Sequence, residues 1–208
     1  MPAPELAFLH DGPTAALATL VLAHGAGAPM DSPFMGWWAA ALGERGIHVV
    51  RFEFPYMRQR RASGGRRPPD REPVLLNAWR EVAARWPGAA IGGKSMGGRI
   101  ASIIADEVGA AALVCLGYPF HPPGKPEAPR IRHLETLATP ALIVQGTHDP
   151  FGRREEVDQY RLAQRVRFAW VEGGNHDLAQ RGKPPEAAWQ NVVGEVAGFL
   201  AQGGRTAH

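Results

Sequence analysis

Along this chain, short apolar runs alternate with longer stretches in which apolar residues recur every three or four positions. That rhythm predicts a mainly parallel sheet covered by helices on both faces. The run ATLVLAHG (18–25) has strand length and closes on glycine. A helix is expected over 33–46, where Phe34, Trp37, Trp38, Ala41 and Leu42 share one face and Gly46 can end it. A second strand is expected over 47–55, rich in β-branched and aromatic residues. Residues 56–71 hold six arginines with glycines and prolines between them, which predicts a loop. A helix over 72–88 follows, then a strand, a sharp turn and a helix within 89–109. Strands are expected at 111–119, 139–150 and 165–173, and helices near 153–165 and over 185–202. The pattern shows no repeat period, low-complexity tract or linker, so all of 1–208 is expected to form one domain.

Composition bounds the picture further. The 208 residues suffice for one full core, and the 45% apolar content is that of a globular chain. The formal charge of +3 is small, and no motif that reads nucleic acid accompanies it, so no nucleic-acid partner is expected. The single cysteine, Cys115, excludes an intrachain disulfide framework and fits a reducing compartment. It lies inside the apolar run ALVCL, where a core role is expected. No apolar run approaches the ~18 residues of a membrane span, and the N-terminus lacks a basic region followed by an apolar stretch. A soluble cytoplasmic protein with no membrane partner is the expectation, and nothing indicates an oligomeric state.

Candidate chemistry centres on Gly93-Lys94-Ser95-Met96-Gly97, a G-x-S-x-G run where an apolar strand gives way to a helix. At such a turn a serine hydroxyl stands exposed in a strained backbone, and the helix start presents an unpaired amide at Met96 to a developing oxyanion. A glycine-rich packing turn would read the same. A nucleophilic serine also needs a base and a group to orient that base. Asp149 follows the strand ALIVQG, and His176 lies in the loop GGNHD after FAWVEG. The order Ser, Asp, His, each just past a strand's carboxyl end, places all three on one sheet edge. Asp177 adjoins His176 and competes with Asp149 for it, although neighbours on a loop usually point apart. His148 is expected at the surface.

These motifs, with HGAGAPMDSPFM, GYPFHPPGKP and QGTHDPFG, resemble the α/β-hydrolase fold superfamily over about residues 18–202. More narrowly they are similar to a small capless subfamily akin to dienelactone hydrolases. They also resemble a hydrolase-like module of some chromatin-complex and testis-expressed proteins. The resemblance implies an α/β fold of about six to seven mainly parallel strands without a cap domain. It implies Ser95 as nucleophile, His176 as general base and acid, Asp149 as its orienting partner, and the Ala26 and Met96 amides as oxyanion hole. His24 takes a structural role on that reading. Dienelactone hydrolases use cysteine as nucleophile, whereas this elbow carries serine. The implied activity is a carboxylesterase- or thioesterase-like serine hydrolase acting on small esters or thioesters, with no metal or organic cofactor. The alternative is a non-catalytic hydrolase-fold interaction module. Tyr118, Phe120 and His121, in a proline-rich segment past a strand end, are candidates for the substrate-pocket wall or for an exposed crossing. Arg58, Arg60, Arg61, Arg66, Arg67 and Arg71 invite an anionic ligand or form a solvated loop.

Overall fold

The computed structural model describes residues 6–203. The first five residues of the segment read above for a leader, and the last five of the expected domain, lie outside the described residues. Seven strands form one sheet: β1 (Phe8–Asp11), β2 (Ala18–Ala23), β3 (Ile47–Phe52), β4 (Ala90–Lys94), β5 (Leu113–Leu116), β6 (Ala141–Gly146) and β7 (Val166–Val171). Their order is β1-β3-β2-β4-β5-β6-β7, and only β1 runs antiparallel to its neighbour.

Successive strand residues point to opposite faces, and both faces are apolar. Val21, Ala23, Val50, Phe52 and Ile91 pack against α2 (Pro55–Ser63), α3 (Glu72–Ala83) and α4 (Met96–Ile104), through Tyr56, Trp79 and Ile100. Leu20, Leu22, Val49 and Val114 pack against α1 (Pro33–Gly43) and α6 (Pro185–Gly203), through Trp38, Trp189 and Val193. Cys115 is fully buried in the first of these clusters, and burial pushes its thiol's proton affinity up.

Three elements differ from the sequence expectation. The first half of the expected arginine-rich loop is helix α2. Its glycines and prolines, Gly64, Gly65, Pro68 and Pro69, all lie beyond Ser63, while Pro55 occupies the first helical turn, where proline is tolerated. Tyr56 and Met57 bury the start of that helix, and Gly64, at φ +68°, ends it. The helix expected near 153–165 is a single turn, α5 (Arg154–Val157). Past it, Ala163 N–H donates to Leu134 O at 2.9 Å, and the chain turns back to start β7. Strand β1, too short for its periodicity to show, adds an edge beside β3. Between β5 and β6 there is only a 3-10 turn over Arg132–Glu135, and no cap domain.

The strand order reverses beside β2. From β2 the chain steps outward to β3, and from β4 it steps the other way to β5. Ligands of open α/β sheets collect at the carboxyl ends of strands at such a switch. The loops after β2 and β4 meet there, because Ala23 is registered against Gly93.

Candidate active site

Ser95 sits between the last residue of β4 and the first of α4 with φ 50° and ψ −117°, a left-handed region that a non-glycine residue rarely occupies. The flanking glycines allow it. A Cβ on Gly93 would lie 2.6 Å from Ala23 O, and one on Gly97 would also lie 2.6 Å from that oxygen, so any side chain there would force the elbow away from β2. Met96 opens α4, and its amide has no intrahelical acceptor.

His176 arrives on the loop after β7. Asn175 Oδ1 accepts the Asp177 and Ala179 amides at 2.9 and 3.0 Å, and Gly174 O accepts the His148 amide at 2.9 Å, which ties this loop to the one after β6. Asp149, fully buried on that second loop, accepts three hydrogen bonds: from Phe151 N–H at 2.8 Å, Gln145 Nε2 at 3.0 Å and His176 Nδ1 at 2.8 Å. With its Nδ1 proton directed at Asp149, His176 presents Nε2 as an acceptor 2.8 Å from Ser95 Oγ. The Phe151 ring lies 4.2 Å from the imidazole, centroid to centroid, and covers it.

The loop after β2 forms the other wall. His24 is fully buried. Its Nδ1–H donates to Gly25 O at 2.7 Å and its Nε2 accepts Phe54 N–H at 3.2 Å. Burial depresses its proton affinity, against the pull of Gly25 O and Glu53, so the ring is neutral and structural. Tyr56 Oη donates to Ala26 O at 2.9 Å. Since C=O and N–H point opposite ways across a trans peptide, a Gly25 carbonyl turned toward His24 turns the Ala26 amide away from it. Ala26 lines a cleft of about 310 Å³ that also exposes Ser95 and His176 and is walled by Ala28, Phe34 and Met35.

The structure thus brings Ser95, Asp149, His176, Ala26 and Met96 to one edge and sends other candidates elsewhere. Tyr118 and Phe120 are fully buried and His121 nearly so, and none of them lines the cleft. Tyr118 Oη donates to Arg130 O at 3.0 Å, Phe120 packs on Tyr160 and Phe168, and His121 is held between Pro122 O and Glu156. The proline-rich segment therefore folds inward over the β6–β7 side of the sheet, and the pocket wall comes from the loop after β2 and from α1. Asp177 is directed at Lys94, with Nζ 3.2 Å from its Oδ1, and His148 is exposed. Arg61 grips buried Glu53 at 2.6 Å and Asp31 at 2.8 Å, and Arg60 donates to Gly27 O at 3.3 Å, so these two arginines brace the wall of the cleft. Arg66, Arg67 and Arg71 are exposed.

Two residues that sequence reasoning passed over complete the site. Gln145 is fully buried, accepts Tyr118 N–H at 2.7 Å and donates to Asp149. Lys94 is nearly buried and lines the cleft. In each case the available signal was a polar residue within the last two positions of an otherwise apolar strand. Among the described residues, no group of three or more His, Cys, Asp or Glu is placed to hold a metal ion, and no helix is long and apolar enough to cross a membrane. A second hollow of about 390 Å³ at the opposite sheet edge, between Leu17, Trp86 and Leu200, is lined by no serine, histidine or carboxylate.

A family model described as an alpha/beta hydrolase domain matches residues 16–201. Among solved structures, the chain is similar to a serine hydrolase without lid from Xanthomonas campestris, at 21% identity and a TM-score of 0.67 over 99% of this chain and 90% of that one. It is similar to a dienelactone hydrolase from Anabaena variabilis, at 18% identity and a TM-score of 0.72 over 95% and 91%. A monoacylglycerol lipase from Paleococcus ferrophilus superposes with a TM-score of 0.71 at 14% identity over 96% and 99%.

Proposed function

The chain belongs to the alpha/beta hydrolase domain family, and on that premise we propose that it is a serine hydrolase cleaving small esters or thioesters through an acyl-enzyme on Ser95. The observation that carries this reading is the pair of 2.8 Å hydrogen bonds linking Asp149 to His176 and His176 to Ser95 at the floor of an uncapped cleft. His176 Nε2 takes the Ser95 hydroxyl proton as Oγ bonds to the carbonyl carbon. The carbonyl π electrons move to oxygen, and the Ala26 and Met96 amides donate hydrogen bonds to that oxyanion, each such donor being worth about 10²–10³ in rate. Asp149 steadies the imidazolium. His176 then protonates the departing alkoxide or thiolate as its bond to the carbonyl carbon breaks. Water, deprotonated by His176 in turn, repeats the addition, and Ser95 leaves with its proton restored. No step draws on a metal or organic cofactor. The small cleft and its apolar wall favour short acyl groups.

A fluorophosphonate probe tests this directly. Wild type should be labelled and Ser95→Ala should not, and nitrophenyl acetate turnover should fall at least about 10⁴-fold in Ser95→Ala and His176→Ala. Equal labelling of both proteins, or of neither, overturns the reading and leaves a hydrolase-fold interaction module.

A further inference from the structure

We propose that Lys94 is a positioning residue: its ammonium, one residue from the nucleophile, fastens the backbone of His176 to the elbow and so fixes where the imidazole stands. This rests on the reading of Ser95 and His176 as nucleophile and base.

Lys94 ends β4, and its side chain is 10% exposed. Nζ donates to the main-chain carbonyl of His176, lies 3.2 Å from Asp177 Oδ1 and stands 5.2 Å from the centre of the Phe34 ring. Gly117 occupies the space between the two partners. A methyl group placed there would lie 2.6 Å from His176 O and 3.0 Å from Lys94 Nζ, so the contact between ammonium and carbonyl has room because residue 117 is glycine. The next carbonyl, Asp177 O, is held from the other side by Trp189 Nε1 at 2.9 Å. On the cleft side, the loop that carries His176 is secured by Lys94.

The ammonium is an expensive latch. Burial disfavours its charge, and the charges of Asp177 and Asp149 offset that only in part, so its proton affinity stays below that of a free lysine. A lysine whose proton affinity falls on folding destabilises the fold wherever the unfolded chain carries that proton, neutral pH included. A methionine would fill the same volume without that cost, so packing alone does not account for a lysine here. Its position does: Lys94 and Ser95 share a peptide bond, so tension between Nζ and His176 O bears on the Oγ to Nε2 distance. Misplacing a reacting pair by about 1 Å costs up to about 100-fold in rate.

Lys94→Met is the test. With nitrophenyl acetate, kcat should fall about 10- to 100-fold while KM stays within twofold, and the thermal midpoint should be unchanged or raised. In a proton NMR spectrum, the low-field resonance of the His176 Nδ1 proton, identified by its absence from His176→Ala, should broaden or vanish. That resonance needs no turnover. If wild type proves inactive, the proposed function fails and the resonance alone decides the role of Lys94. An unshifted, equally sharp resonance in Lys94→Met overturns the positioning role, as does kcat within threefold of wild type. Should Lys94→Met not fold, the same measurements on Lys94→Gln decide it.

Discussion

Gln145 shows how one amide can hold a carboxylate and a turn together. Its Oε1 accepts the Tyr118 amide, while Nε2 lies within hydrogen-bond distance of Asp149 Oδ2, Tyr118 O and Gly152 O. Leucine there would leave Asp149 short of a donor and the buried Tyr118 N–H without its acceptor. Gln145→Leu should lose about 2–3 kcal/mol of unfolding free energy in urea, and kcat should fall about tenfold. Wild-type stability in that variant would show that the amide is dispensable. At this scale Ser95, Asp149 and His176 were legible because each lies just past a strand end, and topology makes strand ends neighbours. Asp149 and Asp177 were separable in principle, since consecutive loop residues point apart, and the structure turns Asp177 toward Lys94. Gln145 and Lys94 were illegible: a polar residue within the last two positions of an apolar strand reads alike whether it turns into the core or into the loop.

Helix α2 is the element whose role the sequence concealed. Arginines were legible as charge but not as a helix, because the breakers that follow Ser63 dominated the reading of the whole segment. Folded as a helix, the segment carries Arg61 between Glu53, 3% exposed, and Asp31, which that guanidinium holds below the usual carboxylate range despite some burial. Both partners flank the wall of the cleft, where Met30 N–H also reaches Glu53 Oε1 at 3.4 Å. Arg61→Ala would strand a buried carboxylate and free residues 26–31. It should cost about 2 kcal/mol and raise hydrogen exchange across that loop before it does so elsewhere. Exchange rising evenly over the sheet would assign Arg61 to global stability instead. Elements with strong periodicity, α1, α3 and α6, were legible. Short ones, β1 and α5, were not, because four residues carry too little pattern and tertiary contacts decide their state.

At the scale of the whole molecule, alternating strands and helices announced the sheet, and the reversal of strand order beside β2 set where its cleft opens. The fold also carries an acid sensitivity that no motif discloses. Burial, aided by nearby Arg99, holds His133 at about 4, and burial likewise lowers His24 and His48. As pH falls below about 6.5 the unfolded chain binds protons at these histidines while the folded chain does not, so stability falls with pH. His133 contributes about 2 kcal/mol of that loss by pH 4, after allowance for its partial exposure. Asp106 adds to the decline at lower pH. Burial raises it, but the Ala138 and Thr139 amides and the Thr139 hydroxyl outweigh that and lower it, so its contribution disappears as it protonates. Urea midpoints should drop between pH 6.5 and 4.5, and a flat profile would contradict this account. The left-handed backbone at Ser95 carries its own consequence. Such a conformation costs about 1–3 kcal/mol and persists only where surrounding structure enforces it. Here β2, β4 and α4 must all be seated first, since Ala23 packs against both flanking glycines. In a half-folded copy of this chain Ser95 is therefore free to relax to an ordinary backbone, and the exposed elbow takes shape only as the sheet closes around it.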